Sequence, residues 1–192
     1  MFHRWLDGDS QADLMTVRVN GTGERNLTRS PGIVDYFPAW SPDGREIVFM
    51  RDDSGFEHDI ATIRPDGSNL QALTATDTDE EGPDWSPDGK RIVFQWNAPA
   101  HAEDYEVYAM LRDGSSPPTR LTTTEGFTPV WSPDGRKILF SNNPRPRRRG
   151  DVPQLFTMRA DGTSQKRVRP GFDGHHPDWQ PVRKAARAGD DD

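Results

Sequence analysis

Histidines, clustered carboxylates and one arginine run are the residues in this chain whose types could do chemistry. Of five histidines, His58, His101, His175 and His176 are the set that could gather as ligands for a transition metal, which favours imidazole nitrogen. No His-x-x-x-His spacing ties two of them to one helical face, so any site depends on the fold to assemble it. The acidic segment Asp77, Asp79, Glu80 and Glu81 offers oxygen donors for Ca²⁺, or an anionic surface for a basic stretch of a protein partner. It lacks the Asp-x-Asp-x-Asp-Gly loop with a terminal Glu of a dedicated calcium site, and a solvated rim is the simpler reading. Arg145, Arg147, Arg148 and Arg149 suit bidentate pairing with phosphate or carboxylate, although prolines and consecutive like charges favour a flexible solvated loop. Trp96, beside the segment 97–104, is the aromatic placed for ligand contact.

Other chemistries are excluded by what the chain lacks. There is no Cys, which removes disulfides, thiolate metal sites and a Cys nucleophile. Gly8-Asp9-Ser10-Gln11-Ala12 misses the final Gly of a nucleophile elbow, and neither a zincin helix nor a P-loop occurs. A formal charge of −7 over 192 residues argues against general nucleic-acid binding. Met1-Phe2-His3-Arg4-Trp5 leads into an Asp-rich loop without an apolar h-region, so the sequence reads as carrying no export signal and no membrane span. Catalysis is left with the histidines, and a non-catalytic binding role is favoured, with no cofactor beyond a divalent cation.

The elements that must position these groups are repeats. Trp-Ser-Pro-Asp-Gly occurs at Trp40, Trp85 and Trp131, and a degraded copy keeps Pro177-Asp178-Trp179, giving spacings of 45, 46 and 48 residues. A period in the forties with several short strands per unit is the signature of a β-propeller blade. Within each unit a strand enters through Pro-x-Trp-Ser, and Pro-Asp-Gly makes a tight hairpin turn. A second strand is apolar: Ile47-Val48-Phe49, Ile92-Val93-Phe94 or Ile138-Leu139-Phe140. A third runs into Asp66-Gly67, Asp113-Gly114 or Asp161-Gly162, and a fourth ends in Leu73-Thr74, Leu121-Thr122 or Arg167-Val168.

The N-terminal unit lacks its Trp-Ser-Pro strand. Counting strands predicts an all-β propeller of about four four-stranded antiparallel blades, with units near 1–28, 36–74, 82–122 and 127–169 and a disordered charged tail at 183–192. A closing strand at 176–180 could pair into the incomplete first unit. An open arc would instead leave two blade faces exposed, which favours dimerisation.

The pattern Pro-x-Trp-Ser-Pro-Asp-Gly-(Lys/Arg)-x-Ile-x-Phe, then Asp-Gly, then Leu-Thr, resembles the TolB-type WD-like β-propeller repeat over nearly the whole chain. That resemblance implies a module that binds a protein or small ligand, in relatives that are often periplasmic or extracytoplasmic. It also admits a metal-dependent lyase or hydrolase using the histidines, or a detached propeller of a prolyl-oligopeptidase-like peptidase. TolB and the peptidases have more blades than four, and TolB adds an N-terminal α/β domain not seen here. Within a blade the Ser-Pro-Asp-Gly and Asp-Gly turns share one face, and the variable loops share the other. Loops on a rigid scaffold usually carry function. Asp7, Asp9, Asp13, Asp52, Asp53, Glu57, Glu103 and Asp104 are assigned to that loop face with the acidic segment, and His3 is placed near it. The recurring Trp40, Trp85, Trp131 and Trp179 are assigned to packing between blades.

Overall fold

The structure, a computed structural model, describes residues 1–6, 11–53, 57–99, 104–143, 152–168 and 177–179. The arginines 145–149, His101, His175, His176, Asp7, Asp9, Glu103, the tail 183–192 and the ends of the expected closing strand lie outside the described residues. The described residues are strands joined by turns and irregular segments, with no α-helix among them. Blade one holds β1 (Phe2–Leu6), β2 (Gln11–Thr16) and β3 (Arg25–Asn26). Blade two holds β4 (Val34–Trp40), β5 (Ile47–Asp52), β6 (His58–Ile63) and β7 (Gln71–Ala72). Blade three is β8 (Glu80–Trp85), β9 (Arg91–Trp96), β10 (Glu106–Leu111) and β11 (Thr119–Arg120). Blade four is β12 (Phe127–Trp131), β13 (Lys137–Asn142), β14 (Gln154–Arg159) and β15 (Lys166–Arg167). Ladders within blades are antiparallel, and one parallel bridge, Ala12 to Val34, joins blades one and two.

The Ser-Pro-Asp-Gly turn closes on its own side chains. Ser41 Oγ donates to Asp43 Oδ1 at 2.7 Å and accepts from Glu46 N at 2.9 Å. The same Ser-to-Asp bond recurs at Ser86–Asp88 and Ser132–Asp134, both 2.6 Å. Gly44, Gly89 and Gly135 supply the left-handed φ of 68°, 66° and 69° that the turn needs. The Ser hydroxyl holds each turn carboxyl (Asp43, Asp88, Asp134) below the usual aspartate range. These carboxylates are therefore occupied by the framework.

Second strands are sandwiched between neighbours, and alternate residues pack in opposite directions. Ile47 and Phe49 join Leu14, Leu27, Ala61 and Ile63 between blades one and two. Val48 joins Ile60, Trp85, Ile92, Phe94, Tyr108 and Met110 between two and three. Val93, Val107, Leu121, Trp131, Ile138, Phe140 and Met158 fill the third interface. Three of the four recurring tryptophans rest on the preceding blade: Trp131 packs in the core with Val93 and Val107, Trp85 Nε1 donates to Ala39 O at 3.2 Å, and Trp179 Nε1 to Val130 O at 3.3 Å. Trp131 differs, because Asp84 Oδ2 takes its backbone N–H at 2.7 Å and its indole N–H has no hydrogen bond. Trp40 faces the blade that has no first strand. It is 43% exposed, against 4% for Trp85 and 5% for Trp131.

Closure is not detected: among the described residues no strand of blade one contacts blade four, and Trp179 sits on β12. Among the described residues β1 pairs with β2 alone.

Asp-Gly turns dock on the neighbouring blade as well. A Cβ on Gly162 (φ +83°) would lie 2.7 Å from Leu121 O, and one on Gly67 2.9 Å from Leu27 O. Gly162→Ala is expected to cost about 2–4 kcal/mol, combining left-handed strain with a backbone collision. Gly21→Ala, at φ +78° with nothing within 4 Å, should cost about 1 kcal/mol. Urea melts of the two variants check this, and equal losses would refute the docking contact.

Candidate functional site

First strands carry a repeated irregularity that shapes the site. The β4–β5, β8–β9 and β12–β13 ladders slip between Tyr36 and Ala39, Glu81 and Asp84, and Phe127 and Val130. At each slip one residue is left-handed: Phe37 (φ 52°), Gly82 (59°) and Thr128 (45°). Each precedes a proline, Pro38, Pro83 or Pro129, which has no N–H to lose from the broken ladder. Such bulges re-aim the strand. Together they wall a pocket of about 310 Å³ that Glu81, Asp84 and Pro177 also line.

Beside this pocket, four strand ends meet. His58 opens β6 opposite Asp52, the last residue of β5. Asp79 lies just before β8, Glu81 within it, and Tyr105 just before β10. His58 Nδ1 lies 3.0 Å from Glu81 Oε1 and 3.2 Å from Asp79 Oδ1, and its Nε2 is hydrogen-bonded to the Tyr36 hydroxyl at 3.3 Å. Asp52 Oδ2 stands 3.9 Å from Nε2. The Tyr105 hydroxyl donates to Glu81 Oε1 at 3.0 Å and Asp79 Oδ2 at 3.4 Å. Gln95 Nε2 donates to Glu81 Oε2 at 2.8 Å, while its Oε1 accepts Thr128 N at 2.7 Å. Gln95 thus fixes the Glu81 carboxylate to the bulge of blade four.

Electrostatics follow from this crowding. The hydrogen bond to Glu81 raises the His58 pKa against the opposing effect of burial, and the charges of Glu81, Asp79 and Asp52 add to the rise. Burial, then the carboxylates, pushes the Tyr36 phenol up to about 12 and Tyr105 further up. Both tyrosines therefore serve as neutral hydrogen-bonding groups at ordinary pH.

Of the residues singled out in the sequence, His58, Asp79 and Glu81 come together. Asp77 is exposed on the turn before them. Glu80 is a correction: strand alternation turns it away from Asp79 and Glu81, and it is fully buried. Thr76 Oγ1 donates to it at 2.7 Å, and burial pushes its carboxyl up to about 8. Asp13 is likewise buried, not on the loop face, and accepts from Asn26 Nδ2 at 2.5 Å and Ser30 N at 3.2 Å. Trp96 is half-buried, its indole N–H on Thr78 Oγ1 at 2.8 Å and its ring edge-on to Tyr108 at 4.9 Å. It packs into the framework. His3 lies within β1, its ring 6.1 Å from that of Tyr36.

Sequence reading missed Tyr36, Tyr105 and Gln95. One signal was present: Tyr36, Glu81 and Phe127 occupy the same place, two residues before the repeated proline, and differ in type.

A family model of the TolB beta propeller domain matches residues 4–183. The chain belongs to the TolB β-propeller family. A putative TolB from Agrobacterium tumefaciens superposes with a TM-score of 0.72 at 23% identity, covering 86% of this chain and 58% of that one. TolB from Acinetobacter baumannii gives 0.62 at 24%, covering 81% and 37%. An oligogalacturonate lyase in complex with manganese gives 0.59 at 16%, covering 82% and 42%. The chain thus spans less than two thirds of these propeller proteins, and at such identities the likeness is one of fold. No curated protein matches it in sequence. No helix among the described residues of this TolB-family chain is long and apolar enough to cross a membrane.

Proposed function

We propose that this TolB-family chain is a non-catalytic binding module that takes a cationic segment of a protein partner. The observation carrying this reading is that Glu81 belongs at once to the His58 cluster and to the proline-walled pocket. An extended segment could lay apolar atoms on Phe37, Pro83 and Pro129 while an ammonium or guanidinium group meets Glu81 and Asp79. Charge-assisted bonds of that kind fix register as well as affinity. The lyase alternative draws on the fold likeness to the oligogalacturonate lyase and on the presence of His58 in the cluster. It needs His101, His175 and His176 to converge there too.

Fluorescence anisotropy with short Pro-containing peptides, bearing either Lys/Arg or Gln at the central position and run in EDTA, tests the reading. Binding of the basic peptides is expected to weaken at least about tenfold in Glu81→Gln, and to fall with salt. Equal binding of the Gln peptides, or indifference to Glu81→Gln in a variant with wild-type circular dichroism, would overturn it.

A further inference from the structure

We infer that His58 Nδ1, Asp79 Oδ1 and Glu81 Oε1 form a binding site for a divalent first-row transition metal of the Mn²⁺ or Zn²⁺ type. Among the described residues these three donors lie within 4.8 Å of one another. The set shares only His58 with the histidines singled out in the sequence.

The spacing suits a metal better than a proton. Bonds of roughly 2.0–2.2 Å to imidazole and carboxylate put neighbouring ligand atoms about 3.0–3.5 Å apart at octahedral or tetrahedral angles. The two carboxylate oxygens stand 3.0 and 3.2 Å from Nδ1. Nδ1 carries at most one hydrogen, yet two carboxylates from different residues converge on it. Asp79 Oδ1 is buried and has no hydrogen bond. One cation between the three atoms would serve all of them, where one proton serves a single oxygen.

Support behind the ligands is already in place. The other imidazole nitrogen is held by Tyr36, Glu81 Oε2 by Gln95, and Asp79 Oδ2 by Asn97 Nδ2 at 3.3 Å and by Tyr105. With Nδ1 on the metal, Nε2 carries the hydrogen and donates to the Tyr36 hydroxyl, which fixes the tautomer. One imidazole with two carboxylates favours Mn²⁺ or Zn²⁺, whereas Ca²⁺ prefers oxygen alone.

The inference goes beyond the partner-binding reading, and a titration with metal alone separates the two. Untagged full-length protein stripped with EDTA is titrated calorimetrically with MnCl₂, ZnCl₂ and CaCl₂, with melting temperature as a second readout. One equivalent of Mn²⁺ or Zn²⁺ is expected to bind and raise the melting temperature. His58→Ala and the double variant D79N/E81Q should each lower affinity at least about tenfold, with Tyr36→Phe intermediate. Circular dichroism checks that the variants are folded. If either variant unfolds, H58Q provides the same comparison with less loss of volume. The inference is overturned if neither Mn²⁺ nor Zn²⁺ binds at one equivalent. It is equally overturned if binding survives the variants, which would place the ion elsewhere, or if Ca²⁺ binds as tightly and ignores His58→Ala. Failure of metal binding would leave the peptide reading standing. If both hold, Zn²⁺ and the basic peptides should compete.

Discussion

Truncating Trp85 to alanine is expected to cost about 3–5 kcal/mol, enough to bring a domain of ordinary stability close to unfolding. The side chain is 4% exposed and sits in the core between blades two and three. It also donates to Ala39 O, and the Arg112 guanidinium lies over its ring at 5.7 Å. The same change at Trp40, 43% exposed, should cost less, about 1–2 kcal/mol, because nearly half of the residue is already in water and its loss leaves no enclosed cavity. The two residues occupy equivalent places in the repeat, so the contrast isolates the effect of the preceding blade. Urea denaturation followed by far-UV circular dichroism reads both variants. A Trp40→Ala loss as large as that of Trp85→Ala would mean that Trp40 is covered in solution.

Glu80→Gln is expected to stabilise the protein at pH 8 and above, by on the order of 3 kcal/mol. Glu80 is fully buried beside Thr74, Thr76 and Asp59, and burial is the main reason its carboxyl rises from 4.5 to about 8. A carboxyl raised on folding binds more protons in the native than in the unfolded chain, so stability falls as pH rises between the two values. Below about 4.5 the group is protonated in both states and the effect vanishes; above about 8 the penalty is complete. Glutamine keeps an oxygen for Thr76 Oγ1, which now donates to Glu80 at 2.7 Å, and removes the ionisation. Wild-type protein should therefore lose stability from pH 5 to 8 more steeply than the variant, in urea melts run in EDTA. Parallel slopes would show that Glu80 stays ionised in the fold.

The framework was legible because the repeat states it several times. Trp-Ser-Pro-Asp-Gly located the turns, and the apolar triplets located the strands that fill the cores, since an interface needs apolar side chains whatever else the blade does. The site was legible in part. Asp79, Glu80 and Glu81 read as one acidic segment, yet strand alternation sends Glu80 into the interior and leaves the outer two beside His58. Nothing local in three consecutive acids says which is buried. Alignment within the repeat does say it, because Glu80 stands five residues before its tryptophan, as the buried Asp35 stands before Trp40. Tyr36 and Tyr105 reach His58 and its carboxylates from different blades, across separations of 22 and 24 residues. Each of those pairs lies within one blade, and the stacking of blade three on blade two then sets His58 beside Asp79 and Glu81.

The left-handed position ahead of each repeated proline is occupied by an aromatic ring at Phe37, a hydrogen at Gly82 and a hydroxyl at Thr128. One backbone slot therefore tolerates three unrelated side chains on the wall of the same pocket. Specificity in this architecture can be rewritten there by exchange of side chains, with the hairpins and blade interfaces left as they are, and that makes these three positions natural places to begin a redesign of ligand preference.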